Sequence, residues 1–162
     1  MSVANGGQHN EKLFAAPIMR PLFILVAFWL LISLLTFSAA VEKQLVTLKP
    51  GFGLCVRIWL RLVKFFLGYD VLIVDALRTP AEQNELHRQN PKNPAYNPNK
   101  PSDHIEGRAV DVNFLKDGKP VLLKASSAAS WKMVVFYADL CGLSWGGLFP
   151  GYADNNHFYQ RA

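Results

Sequence analysis

The stretch from Ser102 to Asp111 constrains the fold of this chain more than any other part of its sequence. It contains His104 and Asp111 with Gly107 between them, and strand-like alternation follows from Arg108 to Phe114. Side chains alternate between the two faces of a strand, so Asp111 should point away from the apolar face. That face consists of Val110, Val112 and Phe114. A turn at the glycine can therefore bring an imidazole and a carboxylate to one point, as a metal site requires.

A second group of potential ligands lies near the C-terminus, in the segment Asp154-Asn155-Asn156-His157. Two histidines and one carboxylate leave zinc a fourth position for water, and a further carboxylate nearby can take the proton of that water. The sequence therefore predicts one divalent metal ion, Zn²⁺ by ligand type, bound by His104, Asp111 and His157. Other divalent ions can use the same ligands.

Taken together, these motifs resemble those of the zinc peptidoglycan peptidases, a family that includes D-Ala-D-Ala carboxypeptidases and the L-alanyl-D-glutamate endopeptidase endolysins of bacteriophages. The pattern is Ser-x-His-x-x-Gly-x-Ala-x-Asp from Ser102, Trp-Gly-Gly from Trp145, and Asp-x-x-His-Phe from Asp154. Residues 77–83 are similar to the Arg-Thr-x-x-Glu-Gln segment of the family. The resemblance extends over residues 69–159, more than half of the chain.

The resemblance implies a role for individual residues beside the single Zn²⁺ and its three ligands. Asp154 would be the general base, and Arg78 would bind substrate and stabilise the developing oxyanion. Ser102 and Trp145 would position or pack against these groups. For Arg78, the alternative is a surface arginine that pairs with a glutamate of the following helix.

The resemblance also implies the activity, which is hydrolysis of peptide bonds in the stem peptides of peptidoglycan. Endopeptidase members carry Asp at the position of Asp154, where carboxypeptidase members tend to carry Glu, so an L-alanyl-D-glutamate-type endopeptidase is favoured. The alternatives are a D-Ala-D-Ala carboxypeptidase and a non-catalytic zinc-binding module of the same fold. A structural or pore-forming membrane protein would leave the metal motifs unexplained.

Hydrophobic periodicity predicts an α+β fold, in which a small antiparallel sheet has helices packed on it. The resembled family has such a fold. The helix signals lie at 54–67, at 80–89 after the capping residues Thr79 and Pro80, and from about 126 to 141. The strand signals lie at 70–77, 108–114, 143–145 and 157–160. Four Pro and four Asn between 90 and 101 predict an irregular loop beside the cleft.

The segment from Pro21 to Val41 contains no charged residue, and 51% of the chain is hydrophobic. It is long enough to cross a bilayer of about 30 Å as a helix. The sequence therefore predicts a disordered tail at 1–20, a transmembrane anchor or signal sequence at 21–41, a linker at 42–50 and the zinc peptidase domain at 51–162. Small residues up to Ala40 leave cleavage and secretion open.

Charge and cysteine content narrow the expected partners. The net charge of +5 comes without a basic reader motif, so nucleic acid is not expected, while peptidoglycan and membrane are. Peptidoglycan as substrate places the catalytic domain on the extracytoplasmic side, in the periplasm or cell wall.

The 54–67 helix carries one stripe of basic residues, Arg57, Arg61 and Lys64. This helix either packs on the sheet or lies on anionic lipid. Whether Cys55 and Cys141 pair, and the oligomeric state, are left open.

Overall fold

The computed structural model describes residues 36–93, 96–97, 99–100, 102–123 and 129–161. All of them belong to one compact unit, which spans residues 34–162. The predicted tail at 1–20, and residues 21–35 of the predicted anchor, lie outside the described residues. Among the described residues, no helix is long and apolar enough to cross a membrane.

The described part of the chain is an α+β fold, as the sequence predicts. Its helices are α1 (Ala39–Leu45), α2 (Pro50–Leu67), α3 (Pro80–Gln89) and α4 (Ala129–Leu140). Its strands are β1 (Asp70–Asp75), β2 (Ala109–Lys116), β3 (Lys119–Val121), β4 (Ser144–Trp145) and β5 (His157–Tyr159). All pairings are antiparallel; the strands run in the order β1-β2-β5-β4, and β3 pairs with β2.

Helix α1 occupies the segment where the sequence predicts the end of the anchor and the linker at 42–50. The side chain of Ser38 caps it by accepting a hydrogen bond from the backbone N–H of Val41, at 3.3 Å. Val41 and Leu45, one helical turn apart, are both buried in the core. The first part of the segment predicted as a linker is therefore helical, and its apolar residues pack into the same core as the domain that follows.

Helix α2 packs on the apolar face of the sheet and forms the centre of the core. It starts at Pro50, earlier than predicted, and ends at Gly68, which has a left-handed φ of 67°. The indole of Trp59 is fully buried, with its ring 4.2 Å from that of Phe158 and 5.7 Å from that of Phe114. Its Nε1–H donates to a backbone carbonyl of α4 at 3.0 Å, so one residue joins α2, α4 and the sheet.

Strand β2 has the alternation that the sequence predicts. Val110, Val112 and Phe114 are buried against α2, whereas Asp111 and Asn113 are half-buried on the other face. The sheet is covered by α2 on one side, and the polar residues of β2 line its opposite side. Any site built on Asp111 therefore lies on the face of the sheet away from α2.

The remaining differences from the sequence predictions are small. Lys116 to Pro120, predicted as a turn only, contains a tight turn at Asp117 and Gly118 that leads into β3. Residues 126–128 of the predicted C-terminal helix lie outside the described residues. Cys55 and Cys141 are free thiols.

Candidate metal centre

His104 is carried by a compact turn that the glycine of the motif makes possible. The carbonyl of Ser102 accepts from the N–H of Ile105 at 3.0 Å, and that of His104 accepts from Gly107 at 3.1 Å. Gly107 has a φ of 64°, a left-handed conformation, and a Cβ there would lie 3.1 Å from the backbone nitrogen of Lys49. Both the left-handed φ and the close contact with Lys49 therefore require glycine at position 107. The turn places His104, which is only 4% exposed, just before the start of β2.

Three ligand atoms from the two predicted motifs meet at one point. The Nε2 of His104 lies 3.2 Å from the Nδ1 of His157 and 3.3 Å from the Oδ1 of Asp111. The Nδ1 of His157 lies 2.9 Å from the same carboxylate oxygen. Asp111 and His157 are direct partners across the antiparallel β2 and β5, so sheet register holds two of the three groups together.

The separations fit a single metal ion. Ligand atoms placed about 2.0–2.1 Å from zinc at the corners of a tetrahedron lie about 3.3 Å apart, close to the three distances observed. The other ring nitrogen of His104, Nδ1, lies 2.8 Å from the carbonyl oxygen of Ala76. A hydrogen bond of this kind fixes the proton on Nδ1 and leaves the Nε2 lone pair for the metal. Within the described residues, this group could hold a divalent cation.

The charges of the three groups favour an ionised carboxylate between imidazoles. Burial alone would raise the pKa of Asp111, but hydrogen bonds from His104 and His157 outweigh it and lower the pKa well below its usual range. For His104, burial lowers the pKa. The hydrogen bond and the negative charge of Asp111 raise it by more than burial lowers it, so the net shift is upward from 6.5. The site is therefore strongly attractive to positive charge.

Asp154 lies in the same pocket, on the loop that precedes β5. Its backbone N–H donates to the carbonyl of Gly146 at 3.0 Å, and the indole N–H of Trp145 donates to the carbonyl of Asn155 at 2.9 Å. Burial first, and the negative charge of Asp111 second, raise the pKa of Asp154. The loop thus places a carboxylate of increased basicity beside the three ligand atoms.

The Trp-Gly-Gly motif has a steric basis in this loop. A Cβ at Gly147 would lie 2.1 Å from the ring of Trp145, and a Cβ at Gly146 would lie 2.9 Å from the carbonyl of Asp154. Neither contact is possible for a real side chain. The two glycines therefore let Trp145, which is buried, and the Asp154 loop pack directly against one another.

Arg78 is buried at the wall of the pocket and is held rather than mobile. Its guanidinium pairs with the carboxylate of Asp75 and donates through Nη1 to the Oε1 of Gln83 at 2.7 Å. Its backbone N–H donates to the carbonyl of His104 at 3.2 Å, and its guanidinium carbon lies 5.6 Å from the ring centre of Tyr96. The surface-arginine alternative is wrong, because the partner is Asp75 and only 6% of Arg78 is exposed.

Helix α3 fixes the position of that arginine. Thr79 caps it through a reciprocal pair of hydrogen bonds with Glu82, and Pro80 occupies the first turn, as the sequence predicts. Gln83, on the first turn of α3, is 1% exposed and contacts the guanidinium. The start of α3 at Pro80 therefore places Gln83 where it holds Arg78 at the wall of the pocket.

The pocket has a volume of about 310 Å³ and holds every sequence-predicted site residue except Trp145, which supports its loop from behind. Sequence reasoning assigned no role to Asp75 or Gln83 and placed the 90–101 loop beside the cleft without naming its lining residues. The individual lining residues that it missed are Asn93, Tyr96, Phe149, Pro150 and Tyr152. An acidic residue three positions before Arg78 was a usable signal for Asp75. The aromatic residues lie in irregular loops, where no periodicity indicates their direction.

Comparisons with known proteins agree with this geometry. A family model described as D-alanyl-D-alanine carboxypeptidase matches residues 96–160. The crystal structure of the L-Ala D-Glu endopeptidase ChiX of Serratia marcescens aligns with a TM-score of 0.59 at 21% identity, over 77% of this chain and 89% of that one. At such identity the alignment is evidence of a shared fold. No curated protein gives a significant match to the sequence. The chain is therefore similar to D-alanyl-D-alanine carboxypeptidases over residues 96–160, and it shares its fold with an L-Ala D-Glu endopeptidase.

Proposed function

We propose that the protein is a zinc peptidase that hydrolyses peptide bonds in the stem peptides of peptidoglycan, most specifically the bond between L-alanine and D-glutamate. One observation carries the proposal. Three ligand atoms about 3 Å apart share a single pocket with a basic carboxylate and a fixed arginine. The family model supports the peptidase class, and the fold shared with ChiX supports the endopeptidase type.

His104, Asp111 and His157 would hold the metal. When bound, zinc supplies a Lewis acid that polarises the scissile carbonyl and lowers the pKa of water to about 7. Asp154 takes the proton of the attacking water as the new carbon–oxygen bond forms, and delivers it to the leaving amine as the carbon–nitrogen bond breaks. Its raised pKa suits a group that must both accept and return a proton near neutral pH.

Arg78 stabilises the negative charge of the substrate. Its guanidinium is fixed by Asp75 and Gln83, so no side-chain freedom is lost when substrate binds. A preorganised cation at the pocket wall can pair with the developing oxyanion or with a carboxylate of the stem peptide. Ser102 lines the same wall and positions the turn that carries His104.

A D-Ala-D-Ala carboxypeptidase is the second candidate. The description of the matching family model favours it. The occurrence of Asp rather than Glu at position 154 favours the endopeptidase, as does the solved structure with the same fold. Both candidates share the metal, the base and the arginine, and they differ in the bond that is cut.

We further propose that the catalytic domain is tethered to a membrane by the part of the apolar segment 21–41 that precedes α1, and that it acts on the extracytoplasmic side. The outer face of α2 supports this placement, because Leu54, Ile58, Phe65 and Phe66 are between 43% and 59% exposed. Basic residues border this apolar stripe. An apolar stripe with a basic edge suits the surface of an anionic bilayer. The metal pocket lies on the opposite side of the sheet and would face the cell wall.

Digestion of purified peptidoglycan by the full-length chain in mild detergent tests the proposed activity. Mass spectrometry of the products should show new L-alanine carboxyl ends and D-glutamate amino ends, which vanish with a chelator and return when zinc is added. Release of terminal D-alanine alone would establish the carboxypeptidase instead. A chain that holds zinc but cuts neither bond would be a binding module.

A further inference from the structure

A second groove lies beside the metal pocket, between α4 and the β4–β5 edge of the sheet. Its volume is about 570 Å³, larger than that of the metal pocket. Its aromatic lining residues are Trp131, Phe136, Trp145, Phe149 and Tyr159, and its charged ones are Lys132, Asp139 and Arg161. Phe136 is 50% exposed, so part of the aromatic surface faces solvent.

The groove and the metal pocket are continuous. Phe149 and Pro150 line both of them. On β5, His157 and Tyr159 lie on the same face, and their rings stack with centres 5.5 Å apart. The ring of Phe149 lies 5.8 Å from that of His157 and 5.4 Å from that of Tyr159. A ligand that extends out of the metal pocket past the ring of His157 therefore enters the groove beside the rings of Phe149 and Tyr159.

Aromatic faces combined with charged hydrogen-bonding groups suit a sugar ring. The C–H faces of a pyranose pack on aromatic rings, whereas its hydroxyl and acetamido groups need donors and acceptors at the rim. The ring of Trp131 packs against that of the buried Trp145 at an angle of 32°, with ring centres 4.8 Å apart, so this contact supports Trp131 from below. Lys132 and Asp139 on the same helix supply a donor and an acceptor beside it.

We infer that this groove binds the N-acetylmuramic acid residue to which the stem peptide is attached. The inference rests on the proposed function and sharpens it. L-alanine is the first residue of the stem, so cleavage after it leaves one residue between the sugar and the scissile carbonyl. Cleavage at the terminal D-Ala-D-Ala bond would place the sugar three residues further away, about 10 Å in an extended chain. A groove adjoining His157 matches the first arrangement.

The test compares two soluble substrates of the full-length chain, the disaccharide tripeptide of peptidoglycan and the same tripeptide without sugar. We expect kcat/KM to be at least about tenfold higher for the glycosylated substrate. Phe136→Ala and Lys132→Ala should reduce this preference several-fold through KM, while cleavage of the free tripeptide stays unchanged. Met133→Ala is the matched control, because it changes an apolar residue of α4 that does not line the groove.

A binding measurement separates the inference from the activity. Addition of the free disaccharide should change the tryptophan fluorescence of the wild-type chain, and Phe136→Ala should weaken that response. Equal cleavage of both substrates, or equal loss on both in the groove variants, would overturn the inference and leave the proposed function intact. Cleavage of neither substrate would overturn the proposed function, and this inference with it.

Discussion

His104 is fixed through both of its ring nitrogens. Nδ1 lies 2.8 Å from the carbonyl oxygen of Ala76, so this nitrogen carries the proton. Nε2 is then the nitrogen left to bind a metal, and it lies 3.3 Å from the Oδ1 of Asp111 and 3.2 Å from the Nδ1 of His157. The backbone carbonyl of Ala76, just after β1, thus selects the tautomer of His104. Ala76 needs no particular side chain for this role, because only its backbone takes part.

Metal affinity should depend on the protonation of His104. Its imidazole must be neutral to bind zinc, and its pKa in the metal-free protein lies above 6.5. Affinity should therefore fall as pH decreases through that raised pKa, and the fall should begin at a higher pH than for an ordinary histidine. Titration with a competing chromophoric chelator between about pH 5 and about pH 8 measures this. An affinity that stays constant over that range would contradict the assignment.

Arg78 should contribute through the geometry of its guanidinium as well as through its charge. Arg78→Lys keeps the charge but cannot contact both Asp75 and Gln83 while facing the substrate. We expect kcat/KM for stem peptide to fall by about 10- to 100-fold, the effect of losing a charge-assisted hydrogen bond. Zinc content should be unchanged. If Arg78→Lys has full activity, the arginine is only a structural partner of Asp75.

Gly147 should tolerate no side chain. Gly147→Ala would force a Cβ to within 2.1 Å of the Trp145 ring, so we expect a loss of about 1–3 kcal/mol in the free energy of unfolding. Gly51→Ala is the control, because a Cβ there meets nothing within 4 Å and lies in the first turn of α2. It should be neutral or stabilise by up to about 1 kcal/mol. Denaturant unfolding of the two variants distinguishes them, and equal stabilities would refute the packing argument.

At the scale of elements, α2 has two different faces. Its inner face, centred on Trp59, is buried on the sheet, which agrees with the first of the two sequence interpretations. Its outer face is also apolar, and Arg57 at its border pairs with Glu42 of α1. The second interpretation, contact with anionic lipid, therefore applies to a different face of the same helix and stays a prediction.

The outer face of α2 should lie at lipid depth when the full-length chain is bound to anionic vesicles. A fluorophore at Phe65→Cys, with Cys55 and Cys141 replaced by Ser, should be quenched by lipids that carry a shallow spin label. The same fluorophore at Tyr152→Cys, beside the metal pocket, should not be quenched. Equal quenching at both sites, or none at Phe65→Cys, would show that α2 does not rest on the membrane.

Sequence signals were sufficient where structure is locally determined. The alternation in β2 placed Asp111 on the correct face, and the Thr79 cap gave the correct start of α3. Helix α1 was missed because it is short, and its stability comes from packing Val41 and Leu45 into the core. That packing depends on contacts with elements distant in sequence, which no local pattern contains.

At the scale of the whole molecule, the sheet separates helix α2 from the candidate metal site. Helix α2 covers one face of the sheet, and the candidate metal ligands Asp111 and His157 lie on the other face. Residue type and order in two separate motifs were enough to predict that these side chains and His104 meet. The aromatic lining from Tyr96, Phe149 and Tyr152 was not predictable, because loops without periodicity converge only in three dimensions.

The most direct test of this account measures zinc content and stem-peptide cleavage on the same samples of the full-length chain. The wild type should hold one zinc per chain and cleave, and His157→Ala should lose both properties. Asp154→Asn should keep its zinc and lose about 10²- to 10⁴-fold in rate, as expected for removal of a general base. Wild-type cleavage by Asp154→Asn, or full activity of a wild-type chain without metal, would contradict the account.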